Sequence, residues 1–308
     1  MKSYDYHKLI FVFSTVLTAS LVIIVFGYIF SLGSPIILKE GIQFFTGSEF
    51  NYETSSFGIF YFIVGTLLLT IITLVLAVPI SLMTALFLSE MVNPRVEHVI
   101  MPLIELLVGI PSVVYGLIGI FILEDFFQHY VDPALGNTLG LFIPFFTDSN
   151  PTSGTGMLLA ATILAIMVLP TIIAISFDSF HAVPFEYREA SFAIGATKWE
   201  TITKVVFPAS LSGVVTAVIL GLMRAMGETM AVVMVMGNVM QIPESINDYG
   251  YAMTSKIFND IMYHLDDPEP RAALFAIGSS LFILEFLCVA VMRFFNKRLA
   301  KKLKGENL

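Results

Sequence analysis

The sequence predicts an all-α membrane protein with six transmembrane helices. Of its 308 residues, 56% are hydrophobic and 13% are charged, whereas soluble domains carry about 25% charged residues. A helix needs about 20 mostly apolar residues to cross the hydrocarbon layer of a bilayer. Six stretches of the chain meet this requirement, namely 9–32, 57–88, 99–123, 157–175, 209–236 and 272–295.

The first apolar stretch, 9–32, is predicted to be a retained helix. It is longer than the roughly 7–15 apolar residues of a secretory signal peptide. No convincing cleavage site of small residues follows it.

The distribution of basic residues predicts the orientation of the chain. Lysine and arginine favour the cytoplasmic loops of membrane proteins. Twelve of the 16 lie in the N-terminus, the second and fourth connecting loops and the C-terminal tail, and three lie in the other loops. Both termini are therefore expected in the cytoplasm, which agrees with an even number of spans.

Acidic residues are concentrated on the opposite side. Thirteen of the 24 aspartates and glutamates fall in the three loops predicted to be outside the cell. An acidic face of this kind repels small anions, so an anionic cargo would need a carrier. An ordinary solvated loop surface explains the same charges, and both interpretations stay open.

The third predicted span contains an acid and a helix-breaking proline. Glu105 precedes Pro111, and a proline inside a helix removes a backbone hydrogen bond and favours a kink. Broken helices at membrane depth often line transport routes. Glu105 either pairs with the basic residue of the fifth span, Arg224, or is protonated and structural. Glu285 in the sixth span is expected to be protonated or to bond a neighbouring helix.

The fifth predicted span carries two opposite charges, Arg224 and Glu228. Charged residues inside a membrane usually face a protein interior or a cavity. A spacing of four places the two side chains on one helical face, within pairing distance. Either they belong to a pathway or gate that meets an anion, or they form a structural salt bridge.

Small residues recur at four-residue spacing in the same span. Such a stripe lets another helix backbone approach closely. The expected helix-packing residues are Gly213, Ala217, Gly221 and Ala225.

The fourth connecting loop has a distinct pattern. Helix-forming residues flank Gly195, which permits a sharp turn between two short helices, and Pro208 suits the start of the next span. Apolar Phe192, Ile194 and Trp199 lie among charges. Exposed aromatic residues indicate a docking surface, although packing against the protein's own helices would account for them equally well.

Motifs for catalysis are absent from the sequence. It has no G-x-x-x-x-G-K-[ST] phosphate loop and no H-E-x-x-H zinc motif. Its single cysteine, Cys288, excludes an intrachain disulfide. We therefore expect no catalytic residues, no metal and no cofactor.

The fourth loop resembles the EAA motif of ABC-importer permeases: E-A-A, three residues, glycine, nine residues, then I-x-L-P. Glu189, Ala190, Gly195 and Pro208 match it, whereas Ser191 replaces the second alanine. Val205 and Phe207 stand at the positions of isoleucine and leucine. In that family the loop is a coupling helix that enters a cleft of the ATPase subunit. The resemblance implies this role for a set of six residues, Glu189, Ala190, Gly195, Ala196, Trp199 and Pro208.

Three further segments resemble the permeases of phosphate importers. They are RAMGETMAV at 224–232 with Gly237 and Asn238, IPSVVYG at 110–116, and AVPIS with ALFLSE between 77 and 90. The resemblance implies a type I, MetI-like permease core at 57–296, after an N-terminal helix and extracytoplasmic segment at 1–56 and before a basic tail at 297–308. It also implies a prokaryotic plasma (inner) membrane, and a pathway or gate formed by Arg224, Glu228, Glu105 and Thr229.

The same resemblance implies three partners: a sister permease subunit, two copies of a cytoplasmic ATPase, and an extracytoplasmic phosphate-binding protein.

Alternative functions are a permease for sulfate or molybdate, a secondary anion transporter driven by an ion gradient, and a membrane-embedded enzyme. An enzyme would need converging nucleophile, acid and base groups, and few ionisable residues lie within the spans.

Overall fold

The computed structural model describes residues 2–147 and 153–303. It is almost entirely helical, and its long helices are α1 (Lys2–Glu40), α3 (Phe60–Glu90), α8 (Met157–His181), α11 (Phe207–Met226) and α14 (Pro268–Leu303). The intermediate helices are α4 (Pro94–Val108), α5 (Ser112–Ile118), α9 (Phe185–Ala193) and α13 (Met253–Ile261). The short helices are α2 (Ile42–Thr46), α6 (Glu124–Phe126), α7 (Asp132–Asn137), α10 (Lys198–Thr201) and α12 (Met230–Val235). Two strands, β1 (Phe50–Asn51) and β2 (Ser56–Phe57), form one antiparallel hairpin.

Among the described residues, five helices are long and apolar enough to cross a membrane. The count becomes six if α4 and the helical run that follows it, which meet at 90°, are taken as one broken span. This agrees with the six predicted spans. The basic tail is only partly described, because residues 304–308 lie outside the described part.

The chain divides into two compact units. The first consists of residues 1–60 and 256–284, and the second of residues 61–255 and 285–308. In the first unit, α1 packs closely on α14: a Cβ atom on Gly33 would lie 2.7 Å from the backbone nitrogen of Ala276. Near the β-hairpin, the buried Lys256 pairs with Asp260 at 2.5 Å. Tyr52 donates a hydrogen bond of 2.6 Å to the same carboxylate.

The second unit is built around α8. Its buried face is rich in alanine and branched residues, which lets α3, α4, α11 and α12 pack against it. The buried threonines of α3 illustrate how polar groups are accommodated: Thr66, Thr70 and Thr73 each donate to the backbone carbonyl four residues earlier. A hydroxyl bonded within its own helix leaves no unsatisfied group facing hydrocarbon.

The third predicted span, 99–123, is broken next to its proline, where the sequence predicts a kink. Gly109 ends α4, and Pro111 stands just before the first residue of α5. Proline has no N–H to donate and is disfavoured inside a helix. The chain therefore turns by 90° between α4 and the helical run that begins with α5.

The prediction of one continuous fifth span at 209–236 is wrong. α11 ends at Met226, and α12 starts only at Met230. At the other end, the helical run already begins at Lys198 and passes through a π-helical turn at Ile202–Val206. Because Pro208 has no N–H for the carbonyl four residues earlier, this wider turn accommodates it without ending the helix.

Candidate coupling hairpin and intramembrane site

The fourth loop folds into two short helices joined by a turn, which we call the α9–α10 hairpin (residues 185–201). Gly195 lies between them with φ +85°, a left-handed conformation that glycine adopts without steric cost. The turn predicted at this glycine is therefore confirmed. Thr197 and Glu200 form a capping box at the start of α10, with bonds of 3.3 Å and 3.0 Å between side chain and backbone.

The tip of the α9–α10 hairpin is apolar and exposed. Ile194 is 86% exposed, Trp199 62% and Phe192 46%. Exposed aromatic and aliphatic side chains grouped in this way mark an interaction surface. The alternative that these residues pack against the protein's own helices is wrong for the described part of the chain.

The base of the hairpin is fixed by a buried ion pair that sequence reasoning missed. Arg188 of α9 donates to Glu90 at the end of α3, through Nη2 at 2.6 Å and Nε at 3.3 Å. The same guanidinium donates to the carbonyls of Phe180 and Val183 at the end of α8. A single sequence shows no relation between residues 98 positions apart, so no signal in the sequence could have found this pair.

Arg224 lies in the last turn of α11 and is half-buried. Its Nη1 donates a hydrogen bond of 3.0 Å to the hydroxyl of Thr171 in α8. The small-residue stripe lies along the same contact: a Cβ atom on Gly221 would lie 2.7 Å from the Ile172 side chain of α8. Of the other stripe residues, Ala217 and Ala225 are buried, and Gly213 lies against Ser179 of α8.

The pairing expected between Arg224 and Glu228 is not formed. Within the described residues, no ion pair joins them, because α11 ends at Met226 and Glu228 lies beyond its last turn. The Glu228 carboxylate instead accepts from the backbone N–H of Ala231 at 3.3 Å. Thr229 follows in the same break and donates weakly to the carbonyl of Gly227 at 3.4 Å.

The two remaining intramembrane acids lie apart from this arginine. Glu105 is exposed on α4, and no ion pair of the described chain connects it to Arg224. Glu285 is half-buried, and its Oε1 lies 3.9 Å from the position of a Cβ atom on Gly227. The structure thus brings Arg224 to Thr171 and Glu285 to the helix break, and leaves Glu105 outside this group.

Comparison with known proteins identifies the family. Residues 77–301 match the model of the binding-protein-dependent transport system inner membrane component. The phosphate transport system permease protein PstC of Pasteurella multocida is 36% identical over 85% of this chain and 82% of its own length. The probable ABC transporter permease protein YqgH of Bacillus subtilis is 37% identical over 83% of this chain and 78% of its own.

A solved structure of the MetNI methionine ABC transporter in an inward-facing conformation is also similar, with 16% identity and a TM-score of 0.49. It covers 80% of this chain and 97% of the solved one. Because the family model covers most of the chain and both curated relatives exceed 30% identity, this multi-pass inner membrane protein belongs to the family of binding-protein-dependent transport system inner membrane components.

Proposed function

We propose that the chain is the permease subunit of an ATP-driven phosphate importer and forms, with a sister permease, the route for inorganic phosphate across the membrane. The observation that carries this proposal is the similarity to phosphate transport permeases, 36% identical over 85% of the chain. As a permease subunit, the chain is not itself an enzyme, and ATP hydrolysis belongs to a partner.

The contacts of Arg224 support a role in the phosphate route. Among the described residues, its guanidinium uses one N–H donor, in the bond of 3.0 Å to the neutral hydroxyl of Thr171, which leaves the other donors for another ligand. Phosphate oxygens match the planar fork of arginine. Glu228 and Thr229 are proposed as gate residues at the neighbouring helix break, and Glu105 as a second acid of the route.

The exposed apolar tip of the α9–α10 hairpin supports docking of a cytoplasmic ATPase (PstB-like). The remaining partners of the proposal are a sister permease (PstA-like) and an extracytoplasmic phosphate-binding protein (PstS-like). The binding protein would present the anion to the acidic outer loops. In this proposal both termini lie in the cytoplasm. The permease domain is residues 57–296, between the N-terminal segment 1–56 and the tail 297–308.

The function is tested by isolating the protein from native membranes and measuring uptake of radiolabelled phosphate by the recovered complex. Co-purification of an ATPase and ATP-dependent uptake support the proposal. Uptake driven by an ion gradient without an ATPase would indicate a secondary transporter. Stronger competition by sulfate or molybdate than by unlabelled phosphate would indicate a permease for another oxyanion.

The role of Arg224 is tested by Arg224→Gln. We expect phosphate uptake to be abolished while the subunits still assemble, because glutamine keeps a donor for Thr171 but removes the charge. The matched control is Arg95→Gln, since Arg95 is exposed and its side chain bonds no described residue. Normal uptake by Arg224→Gln would reject the pathway role.

A further inference from the structure

The ion pair between Arg188 and Glu90 joins three chain segments at one point. The side chains are only 12% and 9% exposed. Four hydrogen bonds leave the guanidinium, two to the carboxylate that ends α3 and two to carbonyls at the end of α8. Four of the five N–H donors of an arginine are thus used.

The chemistry of the helix ends explains why an arginine stands here. The last carbonyls of a helix have no partner within it, and the C-terminal end carries partial negative charge. α3 and α8 both end at this point, and Glu90 adds a full negative charge. One guanidinium bonds the Glu90 carboxylate, the Phe180 carbonyl in the last turn of α8 and the Val183 carbonyl just beyond it. A lysine cannot reproduce this set because its ammonium lacks the planar fork.

Two contacts stiffen the α9–α10 hairpin. The hydroxyls of Ser191 in α9 and Thr201 in α10 are buried and lie 2.8 Å apart in a hydrogen bond. The capping box at Thr197 stiffens the other arm. A displacement of the exposed tip is therefore carried to the base of the hairpin instead of bending it.

Three connections lead from this base into the membrane. Two are covalent, because α10 continues through the π-helical turn into α11 and residues 182–184 join α8 to α9. The third is the guanidinium of Arg188, which holds α9 to Glu90 at the end of α3. A cavity of about 480 Å³ opens beside the ion pair, lined partly by Ser89, His181 and Lys198, and it leaves space on that side for the hairpin to shift.

We propose that Arg188 and Glu90 are positioning residues that transmit displacement of the α9–α10 hairpin to α3. The main chain connects the hairpin to α8 and α11, whereas the ion pair connects it to α3, which has no direct chain link to the hairpin. This inference rests on the proposed function, because the displacement has its source in an ATPase docked on the hairpin. It assigns a role to two residues outside the exposed tip.

The test uses the whole transporter in proteoliposomes, with wild type, Glu90→Gln, Arg188→Gln, Arg188→Lys and the control Arg95→Gln. Phosphate uptake and ATP hydrolysis are measured on the same preparation. Uncoupling should lower the phosphate transported per ATP hydrolysed by at least about fivefold in Glu90→Gln and Arg188→Gln, the low end of typical coupling between sites. Arg188→Lys should lie between these variants and wild type, and the control should equal wild type.

A residue that only supports folding would lower uptake and ATP hydrolysis together through loss of intact complex, so their ratio would not change. An unchanged ratio in both charge-removing variants overturns the proposal, whether or not their absolute activities fall. A wild-type complex that hydrolyses ATP but takes up no phosphate rejects the proposed function instead. The two failures are therefore distinguishable in one experiment.

Discussion

Replacement of Gly195 by alanine tests how much the left-handed backbone of this residue matters for the stability of the α9–α10 hairpin. The residue has φ +85°, and no described atom lies within 4 Å of the position where a Cβ atom would stand. The left-handed conformation costs an L-residue about 1–2 kcal/mol, and alanine recovers about 0.4–1 kcal/mol by restricting the unfolded chain. The native turn should therefore be destabilised by about 1 kcal/mol. This corresponds to roughly fivefold weaker binding of a partner that requires the turn.

The assay is titration of the purified permease complex with its ATPase subunit, with Gly27→Ala as the matched control. Gly27 lies in α1, no described atom lies within 4 Å of its Cβ position, and its φ is not left-handed. Gly195→Asn should bind better than Gly195→Ala, because asparagine tolerates the left-handed region. Wild-type affinity of Gly195→Ala, or an equal loss in the control, would refute the reasoning.

Three further outcomes follow from individual contacts. Gly221→Val should lower stability by about 1–3 kcal/mol, because its side chain would overpack the contact with α8; thermal unfolding in detergent measures this, and an unchanged Tm would contradict it. Tyr52→Phe removes the hydrogen bond of 2.6 Å to Asp260 and should cost about 1.5–3 kcal/mol, seen as earlier thermal unfolding. Thr171→Val removes the hydroxyl acceptor of Arg224 and should weaken phosphate uptake without disrupting assembly, whereas Thr171→Ser should retain it.

The sequence was sufficient for the number of spans and for the hairpin turn. Apolar runs of about 20 residues have few alternatives to crossing a bilayer. A glycine between two helix-forming segments likewise has a local effect that needs no distant partner. These predictions depend on short stretches of chain, and the structure agrees with them.

Predictions that required long-range geometry were less successful. The largely apolar run 209–236 predicted one helix, whereas α11 ends at Met226. The four-residue spacing of Arg224 and Glu228 therefore no longer places them on one helical face. Pro111 indicated a kink, but its size depends on how α4 and the following helices pack on α8. The contact of Arg188 with Glu90 joins residues 98 positions apart, and periodicity within one segment carries no information about it.

The buried hydroxyl pair in the α9–α10 hairpin makes two positions of the chain interdependent. The family motif has alanine where this chain has Ser191, so transplanting that alanine alone would leave Thr201 without the partner it has at 2.8 Å. An orphaned buried hydroxyl costs about 1–3 kcal/mol, although alanine itself belongs to the motif. Chimeras that exchange this loop with a relative should therefore swap residues 191 and 201 together.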